Sequence, residues 1–252
     1  MIIFVADINN AYYTESTKMN VLVISAHPDD IEVNCAGTVK RMIDRGDTVY
    51  VCNLCNGNMG HMVIMPDELA AIRLKESESA AATTGAKYLP PISGDLCLYH
   101  QDKATRDKVV DIIRQAKPDL IITHTPDDYM SDHVAVGKLV FDASFCASLP
   151  HYVTAYDNFV PVCPIYYMDN LGAFHFTPTE YVDISNEIDI KLAGLNCHQS
   201  QLKWMKDHDQ IDFAETVRTF SRMRGLQAGV MYAEAFSQLA GWGRMTVKRL
   251  LP

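Results

Sequence analysis

Apolar and polar positions along the chain alternate between short β-branched runs and stretches with helical spacing. Val21-Leu-Val-Ile is an unbroken apolar run, and from Glu32 to Ile43 the apolar residues recur at helical spacing. The intervening Ser-Ala-His27-Pro28-Asp29-Asp30 segment is therefore a strand-to-helix junction, with Pro28 at the first helical position and both aspartates in the first turn. Arg45-Gly46-Asp47 turns the chain into a second strand, Thr48 to Leu54. Pro66-Asp67-Glu68 opens a helix through about Thr84, which Gly85 ends. A short strand from Ala86 to Leu89, an amphipathic helix from Lys103 to Ala116, a buried strand from Pro118 to His124 and a helix from Val134 to Cys146 follow. Helices resume behind a Ser185 or Asn186 cap through Trp204, and again from about Asp209 to Gly225. The short apolar run from Ala228 to Phe236 contains Glu234, an acid that needs a partner if buried.

Strands alternating with helices predict an α/β fold with a mostly parallel sheet covered on both faces. In such a sheet, ligands bind beyond the carboxyl ends of the strands. Residues 150–179 break the pattern: Tyr152, Tyr156, Tyr166 and Tyr167 lie among Pro150, Pro161, Pro164 and Pro178. They either roof a site with aromatic surface or form edge strands packed on the core.

Size changes little in this picture and charge narrows it. With 252 residues, 48% of them hydrophobic, the chain can bury a full core, and residues 20–252 read as one domain. Residues 1–19 read as an extension, an extra edge segment or ordered arm, with Met19 an alternative start. A formal net charge of -9 argues against sequence-independent nucleic-acid binding or attachment to an anionic membrane. No apolar run is long enough to span a bilayer, and the first six residues are too short for a secretory core, which points to the cytoplasm and a small-molecule substrate. Seven cysteines without framework spacing read as reduced thiols. Cys52 and Cys55 form a C-x-x-C, but in a strand their sulfurs face opposite sides.

The candidate chemistry sits in two turns. His27 and Asp30, three residues apart, can aim a nitrogen and an oxygen at one point, with Asp29 left as a spare carboxylate beside them. The bland alternative is an acidic first turn near a histidine. The second turn, Thr123-His124-Thr-Pro-Asp127-Asp128-Tyr129-Met130-Ser131-Asp132-His133, also leaves a strand and enters a helix, so both turns reach one rim of the sheet. His133 then supplies a third protein ligand, and a fourth position stays open for water. Arg73 and Glu76 share a helix face, as a surface ion pair or as an arginine aimed into the site and held by the glutamate. His175, His198 and His208 are single histidines, the kind more often structural.

These residues together resemble the LmbE/PIG-L family of zinc-dependent N-deacetylases. The likeness rests on Ala26-His27-Pro28-Asp29-Asp30-x-Glu32 after a strand, Arg73-x-x-Glu76, Lys117-Pro118-Asp119 before a strand, and Asp132-His133, and extends to His198-x-Ser200-Gln201 and Arg224-Gly225. It implies a Rossmann-like three-layer fold, Zn2+ or another divalent metal on His27, Asp30 and His133, and Asp29 as general base. It places Arg73 and Asp95 among groups that hold sugar hydroxyls, with Tyr129 and Asp132 as further substrate contacts. The implied activity is removal of an acetyl group from an N-acetylglucosamine unit, in a homo-oligomer. Alternatives are a zinc amidase for a larger acyl or thiol-conjugate amide, or a non-catalytic sugar-binding relative. One departure stands out: Met130 replaces the histidine that steadies the oxyanion in many relatives, and a thioether donates no hydrogen bond. Tyr129, His124, an aromatic from residues 150–179 or the metal alone then takes that role.

Overall fold

A computed structural model describes residues 18–252. The expectation for an N-terminal arm falls largely on residues 1–17, outside the described residues. Seven strands form one sheet in the order β3-β2-β1-β4-β5-β7-β6. Strands β1 (Asn20–Ser25), β2 (Thr48–Asn53), β3 (Lys87–Leu89), β4 (Leu120–His124) and β5 (Ile165–Met168) are parallel. Strand β7 (Ala233–Gln238) runs antiparallel between β5 and β6 (Glu180–Asp183).

Alternation along the central strands divides the core. Val21, Val23, Leu120 and Ile122 pack against α1 (Asp30–Asn34), α2 (Ala36–Arg45), α6 (Ile188–Leu195) and α8 (Phe213–Ala228). Leu22, Ile24 and Ile121 face α4 (Lys103–Ala116) and α5 (Ser131–Cys146) on the other side. Strand order reverses between β1 and β4, so the crevice beyond their carboxyl ends is the topological switch point. Both acid/histidine turns leave from those two ends.

Several expected elements are broken, each for a visible reason. The helix expected to run unbroken to Ile43 stops at Cys35 and restarts as α2, because the buried Glu234 carboxylate accepts the first N–H groups of α2, from Gly37 at 3.0 Å and Thr38 at 2.7 Å. Lys191 supplies the partner Glu234 requires, 2.5 Å away. Pro28 and Asp29 precede α1 instead of opening it. The Asp30 carboxylate turns back to accept the His27 N–H at 2.6 Å, which leaves Asp29 in the left-handed region at φ 99°. The long helix expected through Trp204 divides at His198 into α6 and α7 (Gln199–Asp207). Cys52 and Cys55 pack in the same core layer, not on opposite sides, because strand geometry ends before Cys55; both are free thiols. Of the aromatic stretch, Tyr166 is buried in the core on the α1 and α2 side and the Tyr152 hydroxyl donates to Asp107 on α4 at 2.8 Å, so these two tyrosines brace opposite faces of the sheet, while Leu171 from the same stretch lines the crevice.

Candidate active site

Beyond the ends of β1 and β4 lies a cavity of about 380 Å³, with His27, Asp29, Asp30, Asp132 and His133 at its floor. His133 Nε2 is 3.3 Å from Asp30 Oδ1, and His27 Nδ1 is 3.7 Å from Asp30 Oδ2. One ligand atom from each of His27, Asp30 and His133 lies within 4.8 Å of the other two. Two imidazoles and a carboxylate at this spacing suit a single divalent ion. A second observation agrees: both ring nitrogens of His133 are buried without a hydrogen-bond partner. Nδ1 lies 3.3 Å from Asp128 Oδ1 and Nε2 equally far from Asp30, within ion-pair reach but not aimed for hydrogen bonds. The three residues fit a metal, and the imidazoles of positions 27 and 133 do come close enough to share it.

The surrounding groups hold these candidate ligands in place. Asp132 accepts the Leu96 N–H at 2.9 Å and faces His27 Nε2 at 3.0 Å, so it orients the first histidine more directly than it meets a substrate. Asp128 lies 3.3 Å from His133 Nδ1 as an ion-pair neighbour. His124, fully buried, stacks on His133 and brings Nε2 within 3.1 Å of Asp30 Oδ2. The same nitrogen is 3.0 Å from the Ala26 N–H, and one ring atom cannot both accept that hydrogen and donate to Asp30. An amide N–H can only donate, so the backbone bond fixes Nε2 as an acceptor, and burial with the neighbouring His133 pushes His124 down to about 4. Behind it, α5 lies against the turn at Gly137, where a Cβ would sit 2.6 Å from the His124 carbonyl oxygen.

Charge is unevenly distributed across the floor. Burial, then the charge of Asp30, pushes the Asp29 carboxyl up to about 7, against the opposing pull of His198, Arg73 and His27. Burial would raise Asp30 as well, yet His133 and His124 hold it well below the usual carboxylate range. Two adjacent carboxyls thus separate into one permanent anion and one poised near neutrality. Burial would lower His133, but Asp30 and Asp128 override it and raise the ring to about 10.

Arg73 is buried and lines the cavity, as one of the two expectations had it, but it is not the glutamate that holds it. Its guanidinium threads between Gly57 and Gly60, where added Cβ atoms would meet it at 2.9 and 2.8 Å, and it donates to the Gly60 carbonyl and to Gln201 Oε1. Glu76 does not hold it. That carboxylate instead takes the Ser200 N–H at 2.8 Å and the Ser200 hydroxyl at 2.7 Å, while His198 meets Glu32 at 3.1 Å. The His198-x-Ser200-Gln201 segment therefore pins α7 to α1 and to α3 (Pro66–Thr84) through three separate side chains. Asp95 lines the cavity, but its two oxygens already accept the Gly57 and Met59 N–H groups at 2.8 and 2.9 Å. Tyr129 and Met130 stand at the rim, half-exposed. Phe174, to which no role was given from sequence, meets Tyr129 edge to face.

Residues 22–144 match the family described as PIG-L: GlcNAc-PI de-N-acetylase. A diacetylchitobiose deacetylase of Thermococcus kodakarensis is 30% identical over 232 residues, which cover 88% of this chain and 83% of that protein. The chain belongs to the PIG-L family. Its expected α/β fold is borne out by solved structures. The N,N'-diacetylchitobiose deacetylase of Pyrococcus horikoshii, bound to an inhibitor, superposes with a TM-score of 0.76 at 26% identity, over 88% of the PIG-L chain described here and 84% of its own. The 4-carboxy-2-hydroxymuconate hydratase of Pseudomonas putida superposes at a TM-score of 0.77 with 22% identity, over 91% and 98% of the two chains, and shares the fold.

Proposed function

We propose that this protein is a zinc-dependent N-deacetylase that removes the acetyl group from an N-acetylglucosamine-containing small molecule. His27, Asp30 and His133 would hold the ion. Zinc, when bound, supplies a Lewis acid for the acetyl carbonyl and makes water acidic enough to attack near neutral pH. Asp29 does the proton work: one carboxylate oxygen takes a proton from the attacking water and later delivers it to the departing amine. Its side chain reaches the cavity and accepts no hydrogen bond from the described residues, so both oxygens remain open for this. Arg73, held by Gln201, binds the sugar, and Asp95 keeps the Gly57–Met59 loop closed around it. Asp132 orients His27. Met130 donates nothing and His124 is sealed behind His133, which leaves Tyr129 as the side-chain candidate for the developing oxyanion.

The observation that carries this reading is Asp29, a carboxyl poised near neutrality beside a His/Asp/His set that a metal would complete. Residues 20–252 act as one catalytic domain in this reading. The acidic composition and seven free thiols support a cytoplasmic setting. Acetate release from N-acetylglucosamine and diacetylchitobiose, with and without a chelator, tests the reaction. Asp29→Asn is expected to retain stoichiometric metal and lose about 10²- to 10⁴-fold in kcat. Wild-type turnover by Asp29→Asn would overturn the base assignment, and release of a longer acid in place of acetate would favour an amidase.

A further inference from the structure

The two ring nitrogens of His27 look in different directions. Nδ1 lies 3.7 Å from Asp30 Oδ2, on the side of the candidate ligand set, while Nε2 lies 3.0 Å from Asp132 Oδ2. The Cys55 thiol completes a second group on that far edge: one donor atom from each of His27, Cys55 and Asp132 lies within 4.8 Å of the other two. Nitrogen and oxygen donors on one tetrahedral zinc stand about 3.3 Å apart, so the His27–Asp132 pair is already near the spacing an ion requires. Of the seven free thiols, Cys55 alone falls in such a group among the described residues.

Each donor is placed by its own backbone constraint. The Cys55 N–H donates to the Ala26 carbonyl at 2.8 Å, which ties the end of β2 to the residue before His27, and a bridge to Ser93 holds it from the other side. Asp132, in the first turn of α5, accepts the Leu96 N–H at 2.9 Å. The His27 N–H donates to Asp30. Cys55 and Asp132 are buried, and His27 and Asp132 line the cavity, so an ion arriving through the cavity meets the imidazole and carboxylate first and the sulfur behind them.

Donor chemistry separates the two edges of the ring. His27, Asp30 and His133 offer nitrogen and oxygen only, whereas the far edge adds sulfur, which selects thiophilic ions such as zinc, cobalt(II) or cadmium over magnesium or manganese. We infer that Cys55, His27 Nε2 and Asp132 form a second, inhibitory site for a thiophilic divalent ion, which shares the His27 ring with the ion held by Asp30 and His133. The inference rests on the metal set of the reading above. Binding replaces the Nε2–H bond of His27 and the Sγ–H bond of Cys55 with bonds to the ion, and both protons leave to solvent. Asp132 then ligates the ion and no longer orients His27 through a hydrogen bond, so turnover falls.

The test adds cobalt(II) to protein already loaded with one zinc per chain and records the sulfur-to-cobalt charge-transfer absorption, which His27, Asp30 and His133 cannot give. A band that saturates at one added equivalent is expected, and acetate release from diacetylchitobiose should fall in step with it. Cys55→Ser and Cys55→Ala should lose both the band and the inhibition while keeping acetate release at one zinc per chain. Cys97→Ser, which removes an exposed thiol, should keep both. Absence of the band in the wild type, or its survival in either Cys55 variant, would overturn the site, and a band without loss of turnover would overturn its inhibitory role. Acetate release without a band leaves the deacetylase standing and removes the second site. A Cys55-dependent band in a protein that releases no acetate keeps the site and removes the reaction.

Discussion

The imidazole of His124 lies face to face with that of His133, ring centroids 3.8 Å apart and planes 18° from parallel. Its Nε2 accepts the Ala26 N–H at the root of the β1 turn, so one buried side chain supports both turns that carry the candidate ligands. His124→Ala should weaken metal binding by about 10- to 100-fold, as loss of such supporting groups does. Competition with a chromogenic chelator measures it, and unchanged affinity would reduce the stack to simple packing.

His133 carries a proton well above neutrality when no metal is bound, its pKa raised from 6.5 to about 10. A folded-state value above the unfolded one gives stability that is full below about 6.5 and is lost as pH rises through about 10. Thermal melts of metal-free protein should therefore show a declining contribution from this residue across that window. Loading zinc at pH 8 should release about one proton from His133, read by calorimetry in buffers of different ionisation enthalpy. No proton release would exclude His133 as a ligand.

Gly57 and Gly229 have nearly the same backbone, φ 75° and 74°, but only Gly57 has Arg73 in the way of a Cβ. Both alanine variants should lose about 1–3 kcal/mol to backbone strain. Gly57→Ala alone should also raise KM for the amino sugar, because the guanidinium must move. Equal kinetic effects in the two variants would remove Arg73 from substrate binding.

Lys191 and Glu234 form an ion pair buried on both sides. Lys191→Met leaves the carboxylate without its counter-charge and should cost about 3–5 kcal/mol in denaturant unfolding. The double variant Lys191→Met, Glu234→Gln should recover part of this, since glutamine removes the buried charge and still accepts one of the two N–H groups at the start of α2.

The parallel half of the sheet was legible because Val21–Ile24 and Leu120–His124 are buried on both faces and read as continuous apolar runs. His27, Asp30 and His133 lie near one another because the turns that carry them leave the ends of the neighbouring strands β1 and β4. The partners of Glu32, Glu76 and Asp95 were not legible. Each reaches across 36 to 166 positions to a backbone N–H or side chain, and no local periodicity records such a bond. The same holds for Phe174, whose position depends on left-handed backbone at Ala173 and His175, residues that rarely signal it. The break between α1 and α2 was missed because its cause, Glu234, lies about 200 residues downstream.

At Gly137 the helix that delivers His133 rests directly on the carbonyl of His124. The width of the catalytic centre is thus set by a hydrogen where every other amino acid has carbon. A single methyl there would wedge the helix outward and carry its imidazole away from the β1 turn, disabling the enzyme without altering any residue that meets the ion or the sugar.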